Sequence, residues 1–384
     1  MEKTFEFKNA TIKEEVWRDF LKKAWFCHES IREVSSPEIG VVIIDVGAEA
    51  VDDEQLYPLL QKTLQESAKI SRLGLRILRN FKSNTQQQFF GDVMESLLKR
   101  GDLYQFDKGV YGYSGILKKL MERLDSAFVA LADQYQPIHY EFPSAISWKV
   151  LNRANYPAEF PQNLTFLGNL TKNLQAYNHY SQNPVPNPKD IQPNGLLFAP
   201  TVCIQLYEIL RNQSLPSKYC ATVKGKCFRN EYIKTSSLER LREFWMREII
   251  LIGDKDFVLE AREDIMNKTA ALVEELGLTG VLEVASDPFF TSQYLNKTFF
   301  QKVSELKYEL NLDLNSDGNA IAVSSFNIHQ THFTDAFTLK SNENGELWTG
   351  CCAYGIERFA YAILCQYGID PQYWPEPFAK LLPK

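Results

Sequence analysis

The chain has 384 residues and a mass of 44.2 kDa, with 45% apolar, 13% aromatic and 23% charged side chains. That balance excludes disorder as its main state and leaves room for two domains. A formal charge of -6 argues against a protein that coats nucleic acid by counterion release.

The N-terminus, MEKTFEFKNATIKEEVWRDF, is charged throughout and has no signal-peptide core. The most apolar run, GVVIIDVGAEAV at 40–51, is far shorter than a membrane span, so a soluble, cytoplasmic protein is expected. Val16, Trp17, Phe20, Leu21 and Ala24 recur at helical spacing and predict a helix over 12–26; the β-branched run at 41–44 predicts a buried strand. A second helical pattern covers 53–69, and a short apolar run follows at 75–78. The polar SNTQQQ stretch, a new helix and the turn-rich GVYGYSG then place a domain boundary between about 80 and 101. This divides the chain into a small α/β extension, 1–100, and a larger domain, 101–384. Residues 1–100 carry 15 Lys and Arg against 16 Asp and Glu, a balance that hints at no partner.

Gly109 to Gly115 is glycine-rich but neither follows a strand nor opens a helix as a dinucleotide loop does, so it predicts a turn. Leu124-Asp125-Ser126 lies in the middle of the helical pattern LKKLMERLDSAFVALADQY, whereas a serine that carries a prosthetic group usually heads a helix; an ordinary helix is expected. The segment 175–195 is too proline-rich for a helix and too polar for a core strand, which predicts an exposed loop. Seven scattered cysteines, Cys27, Cys203, Cys220, Cys227, Cys351, Cys352 and Cys365, read as reduced thiols, some available as ligands. There is no Walker-type loop, nucleophile elbow or paired-cysteine zinc motif.

The most informative stretch is GKCFRNEYIKTSSLERLREFWMREIILIGD, 225–254, where strand-like runs at 226–231 and 241–253 flank a polar loop and predict an antiparallel hairpin. Strand alternation puts Cys227, Arg229 and Glu231 on one face, and Phe244, Met246 and Glu248 on one face of the return strand. Arginine can grip a phosphate bidentately and phenylalanine can lie flat on a purine. Spacing alone favours a sheet with a solvated charged face.

CFRNE followed by REFWMRE resembles motif 2 of the class II aminoacyl-tRNA synthetases, in its seryl-type version. Cys351-Cys-Ala-Tyr-Gly-Ile-Glu-Arg358-Phe resembles motif 3, and Lys307-Tyr-Glu-Leu and Ser324-Ser-Phe-Asn327 resemble the remaining strands of that catalytic sheet. MREIILIGD, DPFF at 287–290, SFNIHQTHF at 325–333, CCAYGIERF and GIDPQYWP together resemble the amino acid:carrier-protein ligases, seryl-synthetase homologues without a tRNA-binding domain. The resemblance begins near Gly109, so the first 100 residues depart from the compact family pattern.

The resemblance implies a class II synthetase-like fold of α+β type, an antiparallel sheet flanked by helices behind a small N-terminal α/β extension, and a homodimer. It implies that Mg2+ and ATP activate an amino acid as an adenylate, which is passed to the phosphopantetheine thiol of a carrier protein. Arg229 would neutralise the α-phosphate, Arg358 would hold the γ-phosphate, and Phe244 would stack under the adenine. Glu231 would contact the adenine or orient the bent ATP, and Asn327 would contact substrate or nucleotide. A Zn2+ ion held by Cys203, Glu248 and Cys351 would bind the substrate's amino group, its fourth tetrahedral position being open. Strand alternation lets only one of Cys351 and Cys352 reach such a site; the family cysteine stands seven residues before the motif 3 arginine, as Cys351 does before Arg358. Lys297, Lys302 and Lys307 are candidates for a basic docking face toward an acidic carrier.

Two alternatives remain. A seryl-type tRNA synthetase would need a long helical arm, whereas 1–100 contain Pro37, Gly40, Gly47, Pro58 and Gly74 and no basic excess, so no tRNA is expected. A non-catalytic paralogue acting as a binding subunit is at odds with the retained Arg229, Glu231, Phe244 and Arg358.

Overall fold

A computed structural model describes residues 2–7, 12–47, 51–70, 76–82, 89–183, 185, 187–230, 237–285, 304–343 and 345–374. The N-terminal unit comprises β1 (Glu2–Glu6), α1 (Glu14–Ala24), β2 (Ile31–Glu38), β3 (Val41–Val46) and α2 (Asp53–Ile70). The two helices and β3 coincide with the patterns at 12–26, 53–69 and 41–44. β3 lies between β1 and β2, antiparallel to both. Trp17, Phe20, Val42, Ile44, Leu56 and Leu60 form a core of their own.

The chain continues through β4 (Ile77–Phe81), α3 (Val93–Arg100), β5 (Leu103–Asp107), β6 (Val110–Tyr113), α4 (Gly115–Ala130), β7 (Ile138–Tyr140), β8 (Ala145–Ser147), α5 (Trp148–Arg153), α6 (Tyr156–Glu159), β9 (Phe166–Leu170), α7 (Leu174–Gln182) and β10 (Ile191–Phe198). There follow α8 (Cys203–Ile209), β11 (Ser214–Leu215), β12 (Lys218–Phe228), β13 (Glu243–Gly253), α9 (Lys255–Glu275), β14 (Gly280–Val284) and β15 (Lys307–Asp313). The last elements are β16 (Ala320–Gln330), α10 (His332–Phe337), β17 (Lys340–Ser341), β18 (Trp348–Gly355) and α11 (Ile356–Tyr367). Eight strands form one sheet in the order β4-β14-β15-β16-β18-β13-β12-β7. Every pair is antiparallel except β12 with β7. The expected antiparallel sheet flanked by helices is therefore present.

Period-two alternation divides the sheet into two faces. Ile249, Leu251, Phe326, Cys352 and Tyr354 face the larger core, closed by Leu120 and Phe128 of α4, Ile265 of α9 and Phe359 of α11. Val223, Met246, Ile250 and Ala353 face a second core with Tyr207 of α8 and Phe337 of α10. Side chains such as Phe326, Tyr354 and Phe359 are wholly buried, each contributing about 2 to 3 kcal/mol of transfer free energy.

Four sequence expectations are corrected. The packing changes between α2 and β4, ahead of the expected division at 100: β4 pairs with β14, and Phe81, Val93 and Leu97 belong to the larger core. The polar run suggested a later boundary because the apolar residues that dock lie on either side of it. The first strand of the hairpin starts at Lys218 and ends at Phe228, since its whole length pairs with β13. The segment 175–195 is largely exposed but is not all loop. The Asn173 side chain accepts from the Ala176 N–H at 2.7 Å and starts α7, the first proline comes only after that helix, and β10 begins inside the segment.

The fourth correction concerns Gly109 to Gly115: Gly109 does lie in the turn between β5 and β6, but from Val110 the segment is β6, which pairs with β5 and runs straight into α4. Gly115 has φ +49°, and a Cβ there would stand 1.7 Å from Asp102 Oδ1, which accepts the Ile116 N–H at 3.0 Å. That close approach requires glycine.

Ser126 lies mid-helix as expected, its hydroxyl donating to the Glu122 carbonyl at 3.0 Å. Its neighbour Asp125 grips Arg247 of β13 through Nε at 2.7 Å and Nη2 at 3.0 Å, and Lys224 through Nζ at 3.0 Å. Burial works against the Asp125 carboxylate, but Arg247 and Lys224 outweigh it and hold its pKa below the usual range. Asp125→Ala strands Arg247, only 8% exposed, without its carboxylate. The expected loss is about 3 kcal/mol in urea unfolding at neutral pH. A lowered carboxyl pKa stabilises above the unfolded value and loses that contribution as pH falls, so the variant should lose less stability on acidification than the parent.

Candidate active site

β13 and β18 pair so that Glu248 stands opposite Ala353, and Ile250 opposite Cys351; β16 brings Asn327 opposite Cys351. Glu248, Asn327 and Cys351 thus share the face of the second core. Cys352 points the other way, into the larger core beside Ile249 and Phe326. α8 starts at Cys203 and packs on the same face as Glu248.

Thr201, two residues before Cys203, joins these groups. Its hydroxyl donates to Glu248 Oε1 at 2.7 Å and lies 3.2 Å from Cys203 Sγ. Asn327 Nδ2 donates to Cys351 Sγ at 3.4 Å and to Ser325 Oγ at 3.2 Å. His329 Nε2 lies 3.8 Å from Cys351 Sγ, and its Nδ1 is 3.4 Å from the Thr349 hydroxyl. Burial, and then the charge of Glu248, push the Cys203 and Cys351 thiols well up. Burial also raises Glu248 against its hydrogen bonds from Thr201 and Cys203.

Two thiols and a carboxylate are zinc-type donors, and Glu248 Oε2 is buried without a hydrogen-bond partner. The donor chemistry therefore fits such an ion. Among the described residues, no three His, Cys, Asp or Glu side chains are arranged to hold a metal as they stand.

The hairpin supplies a second group. Arg229 follows β12 directly, held by its N–H to the Arg242 carbonyl at 3.0 Å and by Nε to the Pro200 carbonyl at 3.1 Å. Its guanidinium lies 5.3 Å from the centroid of the Phe244 ring, a cation–π contact. Phe244 pairs with Cys227, and Met246 with Gly225, so Cys227, Phe244 and Met246 share one face of the hairpin. Arg358 stands in the first turn of α11, immediately after β18.

Glu231 lies outside the described residues, as do DPFF, Lys297 and Lys302. Lys307 is described and is not a surface docking residue. It is 7% exposed, sits in β15 opposite Asn327 and is ion-paired with Glu309 at 3.1 Å. Sequence reasoning missed Thr201 and His329: His329 lies within SFNIHQTHF but meets Cys351 only through the pairing of β16 with β18, and Thr201 reaches Glu248 from the short segment between β10 and α8.

This sheet, with an arginine and an aromatic ring on one hairpin and a second arginine at a strand-to-helix turn, defines a class II synthetase core. Residues 192–367 match the family model of the tRNA synthetase class II core domain (G, H, P, S and T). The crystal structure of A. aeolicus tRNASec in complex with M. kandleri SerRS superposes with a TM-score of 0.68 at 21% identity, covering 99% of this chain and 77% of that one. A cytoplasmic serine–tRNA ligase from Naegleria fowleri in complex with AMP gives 0.59 at 11% identity, covering 86% and 72%.

Amino acid–[acyl-carrier-protein] ligase 1 of Bradyrhizobium diazoefficiens is 30% identical over 279 residues, 71% of this chain and 85% of that protein. The type-2 serine–tRNA ligase of Methanococcus aeolicus is 26% identical over 320 residues, 78% of this chain but 61% of its own length. The chain belongs to the amino acid–[acyl-carrier-protein] ligase family and is an enzyme of the ligase class. None of the described helices is long and apolar enough to cross a membrane.

Thr201→Val removes the hydroxyl that serves Glu248 while keeping the side-chain volume. The buried carboxyl then loses a partner, and unfolding should cost about 1 to 3 kcal/mol less in a denaturant titration.

Proposed function

We propose that this enzyme activates an amino acid with Mg·ATP to an aminoacyl adenylate and transfers the aminoacyl group to the phosphopantetheine thiol of a carrier protein. The observation that carries the proposal is the gathering of Arg229 with Phe244, and of Cys203, Glu248, Asn327 and Cys351, on one face of the class II sheet. The 30% identity to an amino acid–[acyl-carrier-protein] ligase, aligned over 85% of that protein, supports it.

In the first step a substrate carboxylate oxygen attacks the α-phosphorus and pyrophosphate leaves. Arg229 offsets the negative charge that builds on the α-phosphate oxygens, and Arg358 holds the γ-phosphate in line. Phe244 supports the adenine, Glu231 contacts it or orients the bent nucleotide, and Asn327 contacts substrate or nucleotide. Cys203, Glu248 and Cys351 are the residues that would hold Zn2+, which when bound takes the substrate's neutral amine. In the second step the carrier thiol's sulfur attacks the adenylate carbonyl carbon and AMP leaves. Positioning and charge stabilisation supply most of the rate. A homodimer working in the cytoplasm completes the proposal.

A second reading, charging of tRNA, is favoured by the match to type-2 serine–tRNA ligases over 78% of the chain. Against it, residues 1–70 carry 9 Lys and Arg and 14 Asp and Glu, a poor match to a phosphate backbone.

Pyrophosphate exchange across the common amino acids tests activation, and holo-carrier against tRNA tests the acceptor. Arg358→Ala should raise the barrier by about 3 kcal/mol, roughly a hundredfold in rate. Wild-type exchange in that variant sinks the role of Arg358. Exchange with no amino acid at all favours the non-catalytic paralogue, and charging of tRNA in preference to any holo-carrier favours the second reading.

The two adjacent cysteines allow a sharper check. Cys351→Ser should lose zinc and adenylation. Cys352→Ser should keep both and cost at most about 1 to 2 kcal/mol for a hydroxyl placed in an apolar core. Metal analysis of the purified variants decides: zinc kept in the first and lost in the second places the metal on the opposite face.

A further inference from the structure

Glu357 precedes Arg358 in the first turn of α11, yet its side chain turns inward and is 1% exposed. Its two oxygens accept the Trp245 backbone N–H of β13 at 2.9 and 3.0 Å. The Tyr113 hydroxyl, at the end of β6, hydrogen-bonds to it as well. One carboxyl group thus ties three separate elements. Trp245 follows Phe244 on β13, Arg358 follows Glu357 on α11, and Tyr113 ends the glycine-rich segment that leads into α4.

The geometry points to Glu357 as a positioning residue for ATP: it fixes the backbone of β13 against the first turn of α11, so that Phe244 and Arg358 stand at a set separation. This rests on the reading of Phe244 and Arg358 as ATP-binding residues. Neither side chain needs to touch Glu357, because the hydrogen bonds act on the backbone next to Phe244 and on the turn that carries Arg358. A nucleotide held at its adenine end and at its γ-phosphate is sensitive to that separation, since a misplacement of about 1 Å at such a site can cost a hundredfold.

The groups that face Glu357 give this latch a pH signature. Tyr113 and, behind it, Tyr111 come from β6, and Lys226 and Cys227 from β12, with Lys226 itself paired to Glu243. Burial pushes the Glu357 carboxyl up to about 7, against the hydrogen bonds from Trp245 and Tyr113. Ionised, it accepts from both donors. Protonated, one oxygen still accepts the Trp245 N–H but the other becomes a donor, so the two-oxygen grip on β13 is reduced to one. The folded protein also holds this proton more tightly than the unfolded chain. The ionised group therefore costs stability as pH rises from its ordinary 4.5 to about 7. Removing its charge should not lower the melting temperature at alkaline pH.

The test compares the full-length protein with Glu357→Gln and Tyr113→Phe. Mg·ATP affinity is measured by calorimetry, and pyrophosphate exchange is measured with each substrate varied, from about pH 6 to about pH 9. In Glu357→Gln, Kd and KM for ATP should rise about tenfold while the amino acid KM stays within about twofold. The fall in wild-type kcat/KM for ATP below about pH 7 should be absent from that variant, and its melting temperature at alkaline pH should not fall. Tyr113→Phe, which removes one of the two donors, should weaken ATP less and keep the acidic fall. Unchanged ATP constants, parallel changes for both substrates, or an acidic fall that persists in Glu357→Gln each overturn the assignment. If the wild type exchanges with no amino acid, calorimetry still decides the matter. Tenfold weaker ATP in the variant upholds Glu357 although the proposed reaction fails, and a wild type that binds no ATP overturns both.

Discussion

A β-strand turns successive side chains to opposite faces, and β13 uses this constraint to serve two environments along its length. Glu248 points to the face that holds Cys203 and Cys351, while Arg247 points to the other face and is gripped by Asp125. Phe244 lies with Glu248, and Ile249 and Leu251 lie with Arg247 in the larger core. A slip of one residue would exchange these sets, burying Arg247 among thiols and placing Glu248 among aliphatic side chains. The apolar residues of the larger core therefore do more than supply stability, since their preference for one face specifies where the acid, the ring and the cysteines go.

The polar groups on the two faces are handled differently. On the core side, Arg247 is satisfied by bidentate contact with Asp125 and by the Thr222 hydroxyl at 3.2 Å. On the other side, Glu248 keeps one buried oxygen without a partner, and two buried thiols stand near it. Fully paired buried charge rigidifies a scaffold, whereas incompletely paired groups retain capacity for a ligand. The contrast is drawn between adjacent residues of one strand.

Much of this was legible in the sequence because the decisive residues lie on strongly patterned strands. The alternation in REFWMRE and CCAYGIERF assigns faces without any knowledge of the fold, and the structure places Phe244, Glu248 and Cys351 accordingly. What escaped depends on partners distant in the chain. Gly109 to Gly115 looked like a turn because the reason for its last glycine is Asp102, whose carboxylate fills the space of a Cβ. Asp125 looked like an ordinary helix residue because Arg247 is 122 positions away. Val93 and Leu97 were grouped with the N-terminal extension because nothing local shows that they dock on the larger core. The helix α7 escaped because the prolines that argue against it all follow its end.

The order of strands has a consequence for synthesis. β18 lies between β16 and β13 in the middle of the sheet, yet it is the last strand among the described residues to leave the ribosome. Until residues 348–355 emerge, β13 and β16 each present an unpaired edge, with apolar side chains such as Ile250 and Phe326 not yet covered. The N-terminal unit can close its own core early, whereas the larger sheet must wait with open edges that invite pairing with other nascent chains. A ribosome pause or truncation between β16 and β18 would thus produce a species prone to aggregate, and chaperone demand should be concentrated in that interval of translation.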